Sequence, residues 1–143
     1  FFGVGDTEHA ARDAVAAGLD MFGAVERLNE YIGPMYGREF RIRVGVHYGE
    51  VVVGTIGIGD IRKLAAFGDA VNFASRVETA NKDADTSFLI SDAARHQLGG
   101  GVQIGRTVLT SMRGRSGEHT LHEVLGLDDD APVQCEREAA GDG

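Results

Sequence analysis

The stretch Phe67-Gly68-Asp69-Ala70-Val71-Asn72-Phe73-Ala74-Ser75-Arg76 constrains this chain most, because it changes from strand to helix across a single glycine. Val71, Ala74 and Val77 recur at spacings of three and give the helix an apolar face. Asp69 reads as its N-cap: a carboxylate there accepts from free N–H groups and complements the positive end of the helix dipole. Asn72 and Arg76 are four residues apart and stand one above the other on a different face. An amide beside a guanidinium near a helix N-terminus suits recognition of a ribose and a phosphate. It equally suits an exposed polar pair on a surface helix, and spacing alone does not choose between them.

With 143 residues the chain is long enough for one domain with its own core, and 43% hydrophobic with 25% charged residues is ordinary globular composition. A net charge of −8 argues against nucleic acid as a partner. It leaves room for a local basic pocket, which a few residues can set. The lone cysteine, Cys135, makes an internal disulfide impossible, which fits a reducing compartment and an expected cytoplasmic location. No run approaches the roughly 20 apolar residues of a membrane span, so membrane attachment is expected only through segments outside this sequence. The chain begins at Phe1 rather than Met, and further sequence is expected upstream.

In chain order, Phe1-Phe2-Gly3 reads as the end of a strand, and Asp6 or Thr7 as the cap of a helix. That helix keeps its period through Ala11, Ala14 or Val15, Leu19, Phe22, Val25 and Leu28 and ends at Gly33-Pro34. Gly18 and Gly23 weaken it intrinsically, so packing on a sheet must hold it. Arg41 to His47 alternates as a strand, Tyr48-Gly49 reads as a tight turn and Glu50 to Gly57 as a second strand, which predicts a β-hairpin. Leu64 to Phe67 leads into the central helix, which is expected to stop at Asn81-Lys82-Asp83. A strand over Thr86 to Ile90, a short helix capped by Ser91, and strands over Val102 to Leu109 and Glu118 to Leu125 complete an α+β fold. Residues 128–143, with Asp128-Asp129-Asp130 and an Ala/Gly/Glu-rich remainder, lack hydrophobic periodicity and read as a disordered tail after a domain spanning 1–127.

Three blocks carry a resemblance. They are Arg41 to Gly57 (RIRVGVHYGEVVVGTIG), the Phe67 to Arg76 stretch, and Met112 to Gly117 (MRGRSG). In this order and spacing they resemble the catalytic domain of the class III adenylate/guanylate cyclases, from about Phe1 to Leu125. The resemblance implies a ferredoxin-like βαββαβ core of which this chain is the later, N-terminally truncated portion. It also implies that apolar sheet and helix surface is left uncovered, so the fragment alone is expected to be poorly stable and inactive.

The implied reaction is attack of the ribose 3′-oxygen of a nucleoside triphosphate on its α-phosphate, with loss of pyrophosphate. By the resemblance Asn72 orients the ribose and Arg76 stabilises the α-phosphate in the transition state. Arg113 falls where the family usually has a lysine reaching the terminal phosphates; arginine keeps the charge but turns a point charge into a fork. Ala65 takes the place of the family's base-reading Asp or Thr, and alanine neither donates nor accepts through its side chain. Phe67, Gly68 and Asp69 complete the implied substrate-binding set. ATP is the expected substrate and GTP the alternative. Two Mg²⁺ or Mn²⁺ ions are implied, held by two aspartates that align upstream of Phe1. Asp6 reads as a helix cap rather than a ligand, and no spacing within the chain makes a metal site.

The family builds its active sites between two domains, so a homodimer is implied, with the Arg41 to Gly57 hairpin at its interface. His47 reads as a turn or core histidine, and Phe67 and Phe73 as core or interface aromatics. Glycines 45, 49, 54 and 57 interrupt strands, which marks bulges or close backbone approaches. A second reading keeps the fold but makes the chain a catalytically degenerate module that binds nucleotide or dimerises to regulate. A diguanylate-cyclase-like domain is set aside because its Gly-Gly-Asp/Glu-Glu-Phe signature is absent.

Overall fold

A computed structural model describes residues 1–5, 8–58, 61–111 and 117–128. The order of elements is α1 (Ala10–Tyr36), β1 (Val44–Val46), β2 (Val52–Ile58), β3 (Ile61–Phe67), α2 (Asp69–Ala84), β4 (Phe88–Ser91), α3 (Asp92–Leu98), β5 (Val102–Ser111) and β6 (Glu118–Leu127). Four strands form one sheet in the order β1-β4-β6-β5, with β1 parallel to β4 and the other neighbours antiparallel. The strands β2 and β3 form a separate antiparallel ribbon. The expected α+β class holds.

All of β4 is buried, and its alternation divides the core in two. Phe88 and Ile90 face Ala11 and Val15 of α1, Ala94 and Leu98 of α3, and Val124 of β6. Leu89 faces the other way, with Leu121, onto Phe73 and Val77 of α2. The sheet is therefore covered by α1 and α3 on one side and by α2 on the other. Packing compensates the weak helix propensity of Gly18, as its sequence context requires: a Cβ there would lie 2.6 Å from the Phe88 ring. The first half of α1 carries this contact, whereas Leu28 and Tyr31 further along are exposed.

Several boundaries differ from those expected. No strand forms at Phe1-Phe2-Gly3, and Asp6 and Thr7 lie outside the described residues. The first helix continues past Gly33-Pro34 to Tyr36 and stops at Gly37, which takes the left-handed conformation (φ 61°) and returns its N–H to Gly33 O. Proline lacks a donor but its φ is helical, so it does not end a last turn; the left-handed glycine does. Asn29 then folds the following loop back along the helix, exchanging two hydrogen bonds with the Phe40 backbone.

The larger correction is the hairpin. Only Val44–Val46 of the Arg41 to His47 run is a strand, and it pairs in parallel with β4, Val44 opposite Phe88. The second run pairs forward with β3 in seven register pairs from Val52–Phe67 to Ile58–Ile61. The central helix also runs beyond Asn81 to Ala84, where Asp85 adopts the left-handed region (φ 52°). Its buried stripe is Phe73, Val77 and Asn81 rather than one led by Val71. Ser91 caps α3 as expected, its hydroxyl accepting from Ala94 N–H. Asp128, placed at the start of the tail, is tied down: its N–H donates to Gly101 O, and it accepts from Gln103 and Arg12. Residues 129–143 lie outside the described residues.

At the outer side of β1, an apolar groove of about 520 Å³ is lined by Phe1, Phe2, Ala14, Met21, Val46 and Tyr48, among others. No helix among the described residues is long and apolar enough to cross a membrane.

Two features generate predictions. A Cβ on Gly45 would lie 2.2 Å from Glu78 N and 2.6 Å from Glu78 Cα, so β1 and α2 touch backbone to backbone there. Gly45→Ala is expected to destabilise the protein by about 3 kcal/mol, read as a lower urea midpoint at unchanged slope. The second concerns acid. Buried His122 donates from Nε2 to Asp92 Oδ1 at 2.9 Å, and this bond is the main cause that holds the Asp92 carboxyl below its ordinary range. Partial desolvation opposes it, and the His96, His122 and Arg95 charges assist. A depressed carboxylate contributes stability above its unfolded value and loses it as pH falls through the lower folded value. Asp92→Asn is expected to flatten the fall in stability below about pH 4, measured by denaturant titration at several pH values.

Candidate active site

The residues singled out in the central stretch occupy the end of the ribbon and the first turns of α2. Ala65 is half-buried opposite Gly54, and Phe67 is exposed opposite Val52. Two residues apart on one strand, they point to the same side. The chain then turns through Gly68 (φ 141°, ψ 167°), a backbone region that L side chains rarely adopt; a Cβ there would also lie 3.3 Å from Glu50 O. Gly68 is the N-cap, and Asp69, expected as the cap, is instead the first helical residue, where its charge still favours the helix dipole.

Asn72 is exposed and Arg76 half-buried on α2, one turn apart beside the buried Phe73–Val77–Asn81 stripe. Among the described residues neither side chain has an intramolecular hydrogen bond or ion pair. The amide therefore offers two donors and an acceptor, and the guanidinium a fork of donors, to a ligand outside the fold. Arg113, expected to reach the terminal phosphates, lies outside the described residues, as does Arg115. Phe73 is a core aromatic at 4% exposure, whereas Phe67 is 49% exposed.

The helix that presents Asn72 and Arg76 is fixed along its length. Near its start the Phe73 ring packs on His47, with ring centres 4.4 Å apart, and meets the His119 ring edge-on at 5.1 Å. In the middle, Gly45 admits the Glu78 backbone. Towards the end, fully buried Asn81 donates from Nδ2 to Val44 O at 2.9 Å and accepts from the Thr86 hydroxyl at 2.8 Å. At the C-terminus Arg106 of β5 donates to Asp85 O at 2.7 Å, and Glu123 holds Arg106 through its backbone N–H and its Nε. Partial burial pushes the Glu123 carboxyl up, but these bonds and the Arg106 charge bring it below its ordinary range.

Asn81 and Arg106 went unread in the sequence. Asn81 gave one signal, its register with Phe73 and Val77 at spacings of four. Arg106 gave none, since its partners are 17 and 21 residues away.

No group of three or more His, Cys, Asp or Glu side chains among the described residues is arranged to hold a metal ion.

The sequence matches the family of adenylate and guanylate cyclase catalytic domains over residues 2–123. It is 37% identical over 122 residues to adenylate cyclase 1 of Rhizobium meliloti (strain 1021), covering 84% of this chain and 17% of that protein. It is 33% identical over 100 residues to guanylate cyclase 2G of Rattus norvegicus, covering 70% of this chain and 9% of that one. The fold superimposes on the crystal structure of the guanylyl cyclase Cya2 with a TM-score of 0.82 at 24% identity, over 92% of this chain and 66% of the other. The chain thus spans a small part of the length of the curated relatives and about two thirds of the solved cyclase. With the helix, the ribbon and the matched family agreeing, this chain belongs to the class III adenylate/guanylate cyclase catalytic domains.

Proposed function

We propose that this domain takes part in converting ATP to cyclic AMP and pyrophosphate, with Asn72 and Arg76 acting directly on the substrate. The observation that carries this reading is the presentation of both side chains, without internal partners, on a helix anchored at four points. Asn72 would bind and orient the ribose, setting the 3′-oxygen in line with the α-phosphate. Arg76 would donate two parallel hydrogen bonds to the α-phosphate oxygens as they gain charge. Such a contact strengthens in the transition state and therefore raises turnover more than affinity.

Arg113 is the proposed partner of the terminal phosphates. Ala65, Phe67, Gly68 and Asp69 line the proposed nucleotide side. With alanine at position 65, the base would be read through backbone groups and neighbouring residues. The rhizobial adenylate cyclase relative supports adenine; the rat guanylate cyclase supports guanine as the alternative. The reaction's Mg²⁺ or Mn²⁺ ions would activate the attacking oxygen and neutralise the phosphates. Their ligands are proposed to lie upstream of Phe1 in the parent protein.

The site is proposed to form between two copies. Support comes from the ribbon, whose Val52, Ile56 and Ile58 lie on one face and are exposed; an apolar surface of this kind marks an interaction face.

The test uses the parent protein with the sequence upstream of Phe1 included. It is given ATP and GTP separately with Mg²⁺ or Mn²⁺, and products are identified by mass spectrometry. Cyclic AMP from ATP is the expected product, and Arg76→Ala is expected to lower turnover by on the order of a hundredfold. Wild-type turnover in that variant overturns the role given to Arg76. Nucleotide binding without any cyclic product points instead to a regulatory module.

A further inference from the structure

We infer that His47 is a positioning residue for catalysis, acting through Phe73 to fix the first turns of the helix that carries Asn72 and Arg76. The inference rests on the site reading above and adds a residue to it.

His47 immediately follows β1, on the side of the sheet covered by α2. Its Nδ1 lies 2.8 Å from Ser91 Oγ. That oxygen already accepts the Ala94 N–H at the start of α3, which leaves the hydroxyl proton free to point at the imidazole. The ring is thereby held in one orientation by a residue whose own position is fixed by a helix cap. The imidazole meets the ring of Phe73, the residue directly after Asn72, at a tilt, with centres 4.4 Å apart and planes inclined by 47°.

The ring is half-buried and is closely approached on one side by Gly49. A Cβ on Gly49 would lie 3.0 Å from His47 Nε2 and 2.9 Å from Ala70 Cβ, so the chain leaving β1 threads between the imidazole and the first turn of α2. On its far side Phe73 meets the His119 ring edge-on. That histidine has a buried Nε2 with no hydrogen-bond partner among the described residues. Of the two histidines flanking Phe73, His47 is the one tied to the fold by a ring-nitrogen hydrogen bond within the sheet. A shift of α2 along its axis or about it would disturb this ring contact together with the Asn81 and Arg106 anchors further along. Phe73 lies between Asn72 and Arg76 in the chain, so displacement at Phe73 moves both.

The test compares steady-state kinetics of the parent protein carrying His47→Ala, His47→Phe, Arg76→Ala and the double variant His47→Ala/Arg76→Ala, each with its melting temperature. His47→Ala is expected to lower kcat by about tenfold to a hundredfold, the scale of a small misplacement transmitted to reacting groups, with KM for the nucleotide little changed. In the Arg76→Ala background the same substitution is expected to cost much less, because the group it positions is gone. His47→Phe keeps a ring on Phe73 while losing the bond to Ser91. It is expected to fold and to show a smaller loss of kcat, and it carries the test if His47→Ala does not fold. A lowered melting temperature with wild-type kcat in the folded variants overturns the inference, as do losses that simply multiply in the double variant. If Arg76→Ala itself turns over at the wild-type rate, the site reading fails and the positioning role falls with it. If Arg76→Ala is impaired while the His47 variants are not, only the positioning role fails.

Discussion

The contact on which the rest of the structure depends is the close approach of α2 to β1. It is possible only because Gly45 has no side chain to hold the Glu78 backbone away. Once the two backbones touch, Asn81 comes within reach of Val44 O and donates to it. Thr86 satisfies the other end of that amide and at the same time starts the turn into β4. A buried amide with its groups paired is directional in a way that apolar contact is not. It fixes the helix in translation, whereas the Phe73, Val77, Leu89 and Leu121 cluster mainly holds it down.

The same contact explains why the β-hairpin expected from sequence does not form. Arg41 to His47 alternates, and Tyr48-Gly49 has turn chemistry, so local signals favour folding back at once. Yet Val44 and Val46 pack against the α1 side while Gly45 faces α2, so this short strand has contacts on both faces and takes the edge of the sheet beside β4. A period of two reveals alternation but says nothing of which strand lies alongside. Gly49 is used for a close approach to Ala70 rather than for a two-residue turn, and the valine-rich run finds its partner later in the chain. Local chemistry was a better guide at Ser91, where the cap bond is made within three residues, than at Asp69, where Gly68 takes the cap position because only glycine accepts its backbone angles.

The candidate site was legible to the extent that it is local. Asn72 and Arg76 stand on one helix, and four-residue spacing places them together whatever the rest of the fold does. What holds that helix was not legible, because its supports arrive from β1, β4, β5 and β6 across long sequence separations, 46 residues from His119 to Phe73 among them. His47 shows the difference: its sequence context suggested a turn or core histidine, and the structure leaves it half-buried against the core ring of Phe73. Only the fold reveals that the ring it packs on lies between the two site residues.

These supports are unevenly distributed, and the asymmetry bears on the proposed chemistry. Asn72 and Arg76 ride on a helix bound to the sheet at both ends and at its middle. Ala65 and Phe67, on the proposed nucleotide side, ride on a two-stranded ribbon whose outer residues are exposed and which meets the domain at the start of α2. A two-stranded ribbon is marginal by itself and takes its order from whatever covers it. Phosphate contacts in a cyclase must be held to within a fraction of an ångström, since their worth lies in the transition state. The choice of base tolerates looser support, because it requires only a difference in binding between two purines. The fold gives the rigid mounting to the groups that would meet the α-phosphate. It leaves the position that would meet the base on a ribbon whose order depends on what covers it, so the two proposed parts of the site are mounted unequally.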